Sequence, residues 1–390
     1  MQKNCAGRRS LSRVKLGLDH FIDVKEYLRD LKVGLIVNHT SVTSDFTHLI
    51  EVTKEYAEKI IVFSPEHGLS GALPPGATYS NYFDEDYGVE VYSLYGENRE
   101  LPLDLVSSID CLIYDIQDIG VRCYTYISTL YYCVKASGKA DTPLYVLDRP
   151  NPLTGVKVEG PVLREEYVSF VGIAEIPLRY GLTPGELAKL FNRKYTLGAE
   201  IHVYLLENWK RDQWFSEAGL PWVPPSPNIP SPDTALVYCG TVLIEGTNLS
   251  EGRGTTKPFE YIGAPWIKPV DLARKLNSLK LPGVLFRPLR FIPFTSKYSG
   301  KYCGGVHIYV YDKEKFKPIE TALHLIKVVK ESYKEFEWKK SEDKYFFDLL
   351  IGNSFVREMI EEEKDIEEIV SKWESSLKVF KEEASSILIY

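Results

Sequence analysis

A carboxyl and an imidazole follow directly on an apolar run in Ile61-Val62-Phe63-Ser64-Pro65-Glu66-His67-Gly68. Glu66 and His67 are residue types that exchange protons once a fold lifts them out of bulk water. The same arrangement recurs along the first half of the chain. Asn38-His39-Thr40, Tyr95-Gly96-Glu97, Asp115-Ile116-Gln117-Asp118 and Asp148-Arg149-Pro150-Asn151 each follow an apolar run. For any one such carboxylate a helix cap or an ion pair is the commoner role. Five polar run-ends in succession, with glycines that let a ligand approach the backbone, point instead to a polar-ligand site. Glu159, Glu245 and Glu251, each followed by glycine, extend the set. Carboxylates beside Arg, Asn and Tyr suit cleavage of a glycosidic bond, in which a protonated carboxyl donates to the leaving oxygen.

The elements that must position these groups are legible. Residues 32–38, 59–64, 89–94, 111–117 and 143–148 are short and apolar on both faces, as parallel strands covered on each side by helices are. Amphipathic segments at 43–59 and 125–140, the second ending near Gly138, supply helices between them. This alternation predicts a doubly wound α/β domain, whose ligands lie beyond the carboxyl ends of the strands. A helix over 182–195 opens with Thr183 as cap, Pro184 in its first turn and Glu186 three residues after the cap. A strand over 200–206 follows. The proline-rich stretch 221–233 reads as a rigid crossing between domains. Beyond it come strands at 283–294 and 305–312. A long last helix over 354–386 carries Ile366, Ile369, Val370, Trp373, Leu377 and Phe380 on one face.

With 390 residues, two domains are expected. The composition, 44% hydrophobic and 26% charged, is that of a globular protein. A net charge of -7 argues against a nucleic-acid partner. Tyrosine is abundant at 26 residues, as on sugar-binding surfaces, although most such rings fill cores. No run is long enough for a signal peptide or a membrane span, so a cytoplasmic location and no membrane partner are expected. Cys5, Cys111, Cys123, Cys133, Cys239 and Cys303 form no C-x-x-C pair and read as reduced, mostly buried thiols. Neither G-x-G-x-x-G nor a phosphate-binding loop occurs, so no nucleotide cofactor is expected. G-x-S-x-G is absent too, against a serine nucleophile, and the histidine spacing gives no metal site.

Several long blocks resemble one family. They are residues 63–71, 91–102, 115–130, 147–163, 170–192 and 222–266, together with the closing Ile387-Leu388-Ile389-Tyr390. From about residue 30 to the end the chain is similar to the family once catalogued as domain of unknown function 1343 (DUF1343) and now represented by exo-β-N-acetylmuramidases of the NamZ type. The resemblance implies a Rossmann-like catalytic domain, here residues 1–210, and a smaller auxiliary α/β domain, residues 211–390, with the active site in the cleft between them. It implies a hydrolase, without a cofactor, that removes N-acetylmuramic acid from the non-reducing end of peptidoglycan fragments. By carry-over Glu66 is the general acid/base and His67 orients or polarises the site. Asp115 and Asp118, with Arg122 and Tyr124, stabilise the transition state and bind sugar. Asn38, Asp148, Arg149, Asn151, Glu159, Asn228, Glu245, Asn248, Glu251, Arg253 and Thr255 line the rest of the cleft. A lactyl carboxylate needs a cation, for which Arg122, Arg149 and Arg253 are candidates; each is equally placed for an internal ion pair. A protein nucleophile, inversion, or attack by the substrate's own acetamido oxygen all remain open. A non-catalytic binder of cell-wall fragments on the same cleft is the alternative.

Overall fold

The structure is a computed structural model that describes residues 13–96 and 99–390. Cys5, the first part of the basic amino-terminal segment and Glu97 lie outside the described residues. In chain order the strands are β1 (Lys32–Val37), β2 (Lys59–Ser64), β3 (Tyr82–Asp84), β4 (Val89–Ser93), β5 (Cys111–Asp115) and β6 (Leu144–Leu147), then β7 (Glu159–Val162), β8 (Pro177–Arg179) and β9 (Ile201–Tyr204), then β10 (Tyr261–Ala264), β11 (Val284–Phe291) and β12 (Cys303–Val310), and finally the short pair β13 (Lys340–Ser341) and β14 (Lys344–Tyr345). A seven-stranded sheet runs β3-β4-β2-β1-β5-β6-β9. Every neighbouring pair in it is parallel except the β3–β4 edge. All five expected strands, and the one after residue 200, are members.

Alternation explains why these runs are apolar throughout. Val33, Leu35 and Val37 of β1 enter one core, with Val62 and Ile113 from the neighbouring strands. Ile36 enters another core with Ile61, Phe63 and Leu112 on the opposite face. Side chains of a strand point to opposite faces in turn, so a strand buried on both faces needs apolar residues at every position.

In the second half β10, β12 and β11 form an antiparallel sheet. The helices Pro269–Ser278 and Pro318–Ser332 pack against one another, and the first also packs on this sheet. The helix Pro184–Lys194 begins as its sequence predicts, with Thr183 and Glu186 forming a reciprocal capping box.

Three helices differ from expectation. Only Leu49–Lys54 of the 43–59 segment is helical, because Thr43 and Thr47 are tied to Asp45 in a turn and His48 caps the helix. Tyr126–Ala140 runs past Gly138 and stops at Asp141, which is left-handed. Gly138 is needed for a different reason: a Cβ there would lie 1.9 Å from the Leu197 carbonyl oxygen. The long last helix is three helices, Phe355–Glu361, Ile366–Ser371 and Glu374–Ser385, interrupted at Glu363 with φ +61°. Ile366, Ile369, Trp373 and Phe380 are buried nonetheless.

Among the described residues no helix is long and apolar enough to cross a membrane. The five described cysteines are free and buried.

Candidate active site

β2 ends at Ser64, and the chain turns sharply through Pro65 to Gly68. His67 and Gly68 both take positive φ, +74° and +73°. A left-handed histidine is uncommon and has to be held by its surroundings. Here His67 Nδ1 hydrogen-bonds the Leu73 carbonyl (2.7 Å), and Tyr79 donates to the Ser64 carbonyl (2.8 Å). The turn thereby presents Glu66 to a cleft of about 610 Å³, within the range of small-molecule sites. Glu66 Oε1 accepts from the Gly76 amide (3.0 Å), and Oε2 accepts from the Thr125 hydroxyl (2.7 Å) just before the helix Tyr126–Ala140. Two segments remote from its own turn thus orient one carboxyl. Among the described residues it makes no ion pair. Tyr95, beyond β4, is its neighbour; burial first, then the Glu66 charge, pushes the phenol up, so Tyr95 stays protonated and able to donate.

The opposite wall comes from the second half. Arg253 contacts Glu245 Oε1 through Nη2 (2.5 Å) and Nε (3.1 Å), and its Nε lies 3.4 Å from Glu251 Oε1. Lys297 reaches Glu251 Oε2 (3.1 Å) and donates to the Leu249 carbonyl (2.9 Å). Burial holds the Lys297 ammonium below its ordinary pKa. Two carboxylates and two cations balance within this network. Tyr124, Tyr238 and Phe259 form an edge-to-face aromatic floor, with centroids 6.1 Å and 4.6 Å apart in turn. The proline-rich crossing borders the cleft through Ser226 and Asn228. It is anchored by hydrogen bonds from His39 to the Pro224 carbonyl and from Tyr126 to the Pro225 carbonyl.

Seven expected site residues therefore meet at one cleft: Glu66, His67, Tyr124, Asn228, Glu245, Glu251 and Arg253. The other ten do not border it. Asp115 is fully buried in a bidentate pair with Arg149 (2.5 and 2.8 Å), and Arg149 also donates to the Val42 carbonyl. Asn38 folds back on Thr40, accepting from its amide (2.9 Å) and hydroxyl (2.6 Å). These three side chains occupy the switch point between β1 and β5, where an open α/β sheet would ordinarily hold its ligand; the void beside Arg149 is only about 20 Å³. Arg122 is wholly buried, its guanidinium donating to the carbonyls of Pro161 (2.9 Å), Ile176 (2.7 Å) and Leu350 (2.9 Å). Asp148 caps the helix at Gly185 (2.8 Å) and accepts from Thr183 (2.8 Å) and the terminal Tyr390 hydroxyl (2.7 Å). Asn151 bridges Leu182 and Leu153, and Glu159 pairs with the buried Arg179. Asn248 clips the 335–337 segment, and Thr255 closes its own turn onto Gly252.

Thr125, Tyr238, Lys297 and Lys339 border the cleft without having been expected there, and Tyr95, expected only as part of a polar strand end, also borders it. Thr125 was legible only as a helix start. Lys297 and Lys339 stand in segments with no distinguishing pattern. Among the described residues no cluster of three or more His, Cys, Asp or Glu is arranged to hold a metal ion.

Asp118 has an acid's pKa without an acid's access. Burial pushes it up to about 6, even though the Gly120 amide and the Tyr180 hydroxyl donate to its Oδ2. A carboxyl raised in the folded state holds its proton more tightly folded than unfolded. Its contribution to stability is present below the unfolded value and is lost as pH rises through about 6. Asp118→Asn cannot ionise, so its stability relative to the parent should rise by about 2 kcal/mol between roughly pH 4.5 and pH 7.5. Urea midpoints at the two pH values measure this; an equal offset at both means that Asp118 does not titrate there.

An α/β protein whose two halves face a carbohydrate-sized cleft, one offering an oriented carboxyl and the other a charge-balanced, aromatic-floored wall, has the architecture of an enzyme acting on polar ligands. The chain belongs to the exo-β-N-acetylmuramidase NamZ family, whose N-terminal description matches residues 33–233 and whose C-terminal description matches residues 236–390. It is 43% identical over 382 residues to the peptidoglycan β-N-acetylmuramidase NamZ of Bacillus subtilis (strain 168), covering 97% of this chain and 92% of that protein. A DUF1343 family protein from Bacteroides fragilis NCTC 9343 superposes with a TM-score of 0.89 at 33% identity, covering 97% of this chain and 99% of that one. A second DUF1343 family protein from the same organism gives 0.74 at 28% identity, with the same coverage.

Proposed function

We infer that the protein is an exo-acting β-N-acetylmuramidase. It releases N-acetylmuramic acid, or a related N-acetylated sugar, from the non-reducing end of peptidoglycan fragments, with Glu66 as general acid/base. The observation that carries the Glu66 assignment is its combination of access and freedom. It faces the cleft, both of its oxygens are oriented by neutral donors, and among the described residues no cation pairs with it. Glu245 and Glu251 face the same cleft but are committed to Arg253 and Lys297. Asp115 and Asp118 are sealed away from it.

In this reading Glu66 gives its proton to the glycosidic oxygen as the bond to the anomeric carbon breaks, and the aglycone leaves as an alcohol. Water supplies the hydroxyl that ends on the anomeric carbon and the proton that restores Glu66. His67 keeps the turn in place, and Tyr95 donates to the carboxyl or to the sugar. Residues up to about 210 act as the catalytic domain, and those beyond as the auxiliary wall that grips the sugar. The work is done in the cytoplasm, a setting supported by five described cysteines that are all unpaired. The activity in the name of the 43% identical relative supports an enzyme over a non-catalytic binder.

A panel of para-nitrophenyl glycosides of N-acetylmuramic acid, N-acetylglucosamine and N-acetylgalactosamine tests this. Turnover of the muraminide above the other two is expected. Binding of muropeptides without release of sugar over a long incubation would overturn it.

A further inference from the structure

We propose that Lys339 binds a carboxylate carried by the sugar in the cleft and thereby sets the preference for a lactyl-bearing sugar over its uncharged counterparts. The proposed function enters only through the identity of that sugar. The arginines that the sequence offers for this task are all engaged elsewhere. Arg122 spends its donors on three buried carbonyls, Arg149 is consumed by Asp115, and Arg253 is shared between Glu245 and Glu251. Lys297 is in turn held by Glu251 and by backbone carbonyls. Of the lysines and arginines that line the cleft, Lys339 alone makes no ion pair among the described residues.

Its backbone is nevertheless well fixed. The Lys339 amide donates to the Gly246 carbonyl (2.8 Å), beside Glu245, and the Phe346 amide donates to the Lys339 carbonyl (2.8 Å). Asn248 clips the preceding segment through Glu335 and Glu337. The side chain is exposed at the rim, its ammonium 5.0 Å from the centre of the Phe346 ring, which also borders the cleft. Burial is the main cause of the lowered Lys297 pKa, and the like charge of Lys339 adds to it. With Arg253 and Lys297 offset by Glu245 and Glu251, the Lys339 ammonium is the charge at the cleft left for a carboxylate, which a neutral sugar would not use. Charge-assisted hydrogen bonds of this kind change affinity by roughly ten- to a hundredfold.

The test measures binding, so it is independent of turnover. N-acetylmuramic acid and N-acetylglucosamine are titrated into the parent protein, Lys339→Met and Lys339→Arg by calorimetry or ligand-observed NMR. The parent should prefer the acidic sugar, and Lys339→Met should erase roughly tenfold or more of that preference while leaving N-acetylglucosamine within about twofold. Lys339→Arg should keep most of it, and added salt should weaken it in the parent. A preference unchanged in Lys339→Met, or an equal loss for both sugars, overturns the assignment. If the preference collapses as expected but no muraminide is ever cleaved, the hydrolase reading fails and the carboxylate site stands.

Discussion

Glu66→Gln is expected to lower kcat on a muropeptide whose aglycone is a sugar, a leaving group that needs the proton, by roughly a thousandfold, the middle of the range for loss of a positioned acid/base. The substitution keeps the shape of the side chain and removes the titrating proton. One amide oxygen cannot serve both the Gly76 amide and the Thr125 hydroxyl as the two carboxylate oxygens do. A stability cost of about 1 kcal/mol should accompany the loss of activity. The melting temperature therefore moves by only a few degrees. KM should change little if the sugar is held by the opposite wall. Turnover within about tenfold of the parent enzyme would remove Glu66 from the chemistry, and attention would pass to Glu245.

Arg122→Met should act on the fold and leave the chemistry alone. The guanidinium holds Pro161, within β7, and Ile176, just before β8, to Leu350 in the helix Phe346–Ile351. Removing it takes a charged donor from three buried carbonyl oxygens, at about 1 kcal/mol each. The Ile176 carbonyl keeps the Leu163 amide (3.2 Å), the Leu350 carbonyl keeps the Cys123 thiol (3.3 Å), and the Pro161 carbonyl is left open. Some relief comes from no longer burying a charge, whose cost is visible in a guanidinium pushed down to about 10 by burial. We expect a net loss of about 3 kcal/mol in urea unfolding, with KM for the muraminide unchanged in the folded fraction. Arg122→Lys should lose less, since an ammonium can still reach some of the carbonyls. A raised KM with an unmoved urea midpoint would return Arg122 to the sugar.

The contrast between Glu66 and Arg122 shows where sequence reasoning reached and where it stopped. Both residues stand near strand ends in glycine-containing motifs, and nothing local distinguishes them. Asp115 and Asp118 likewise read as partners in one rim. In the structure, Arg149, 34 residues away, closes Asp115, and Tyr180, 62 residues away, closes Asp118. The switch point of the sheet was a sound place to look for a ligand. It is filled by Asn38, Thr40 and the Asp115–Arg149 pair, so the opening lies instead at the end of β2. The long last helix failed for a related reason: a sustained apolar face marks which residues are buried but does not register a break at Glu363 that leaves that face intact.

By itself the sequence determined the parallel strands, the capped helix at Thr183 and the placing of polar groups where strands stop. Those features follow from alternation, capping and chain stiffness, which act over a few neighbouring residues. Only the tertiary structure decided which of those polar groups found an opposite charge or a carbonyl and which stayed open to a ligand. Electrostatic pairing depends on distance through space, and its partners here arrive from tens to hundreds of residues away.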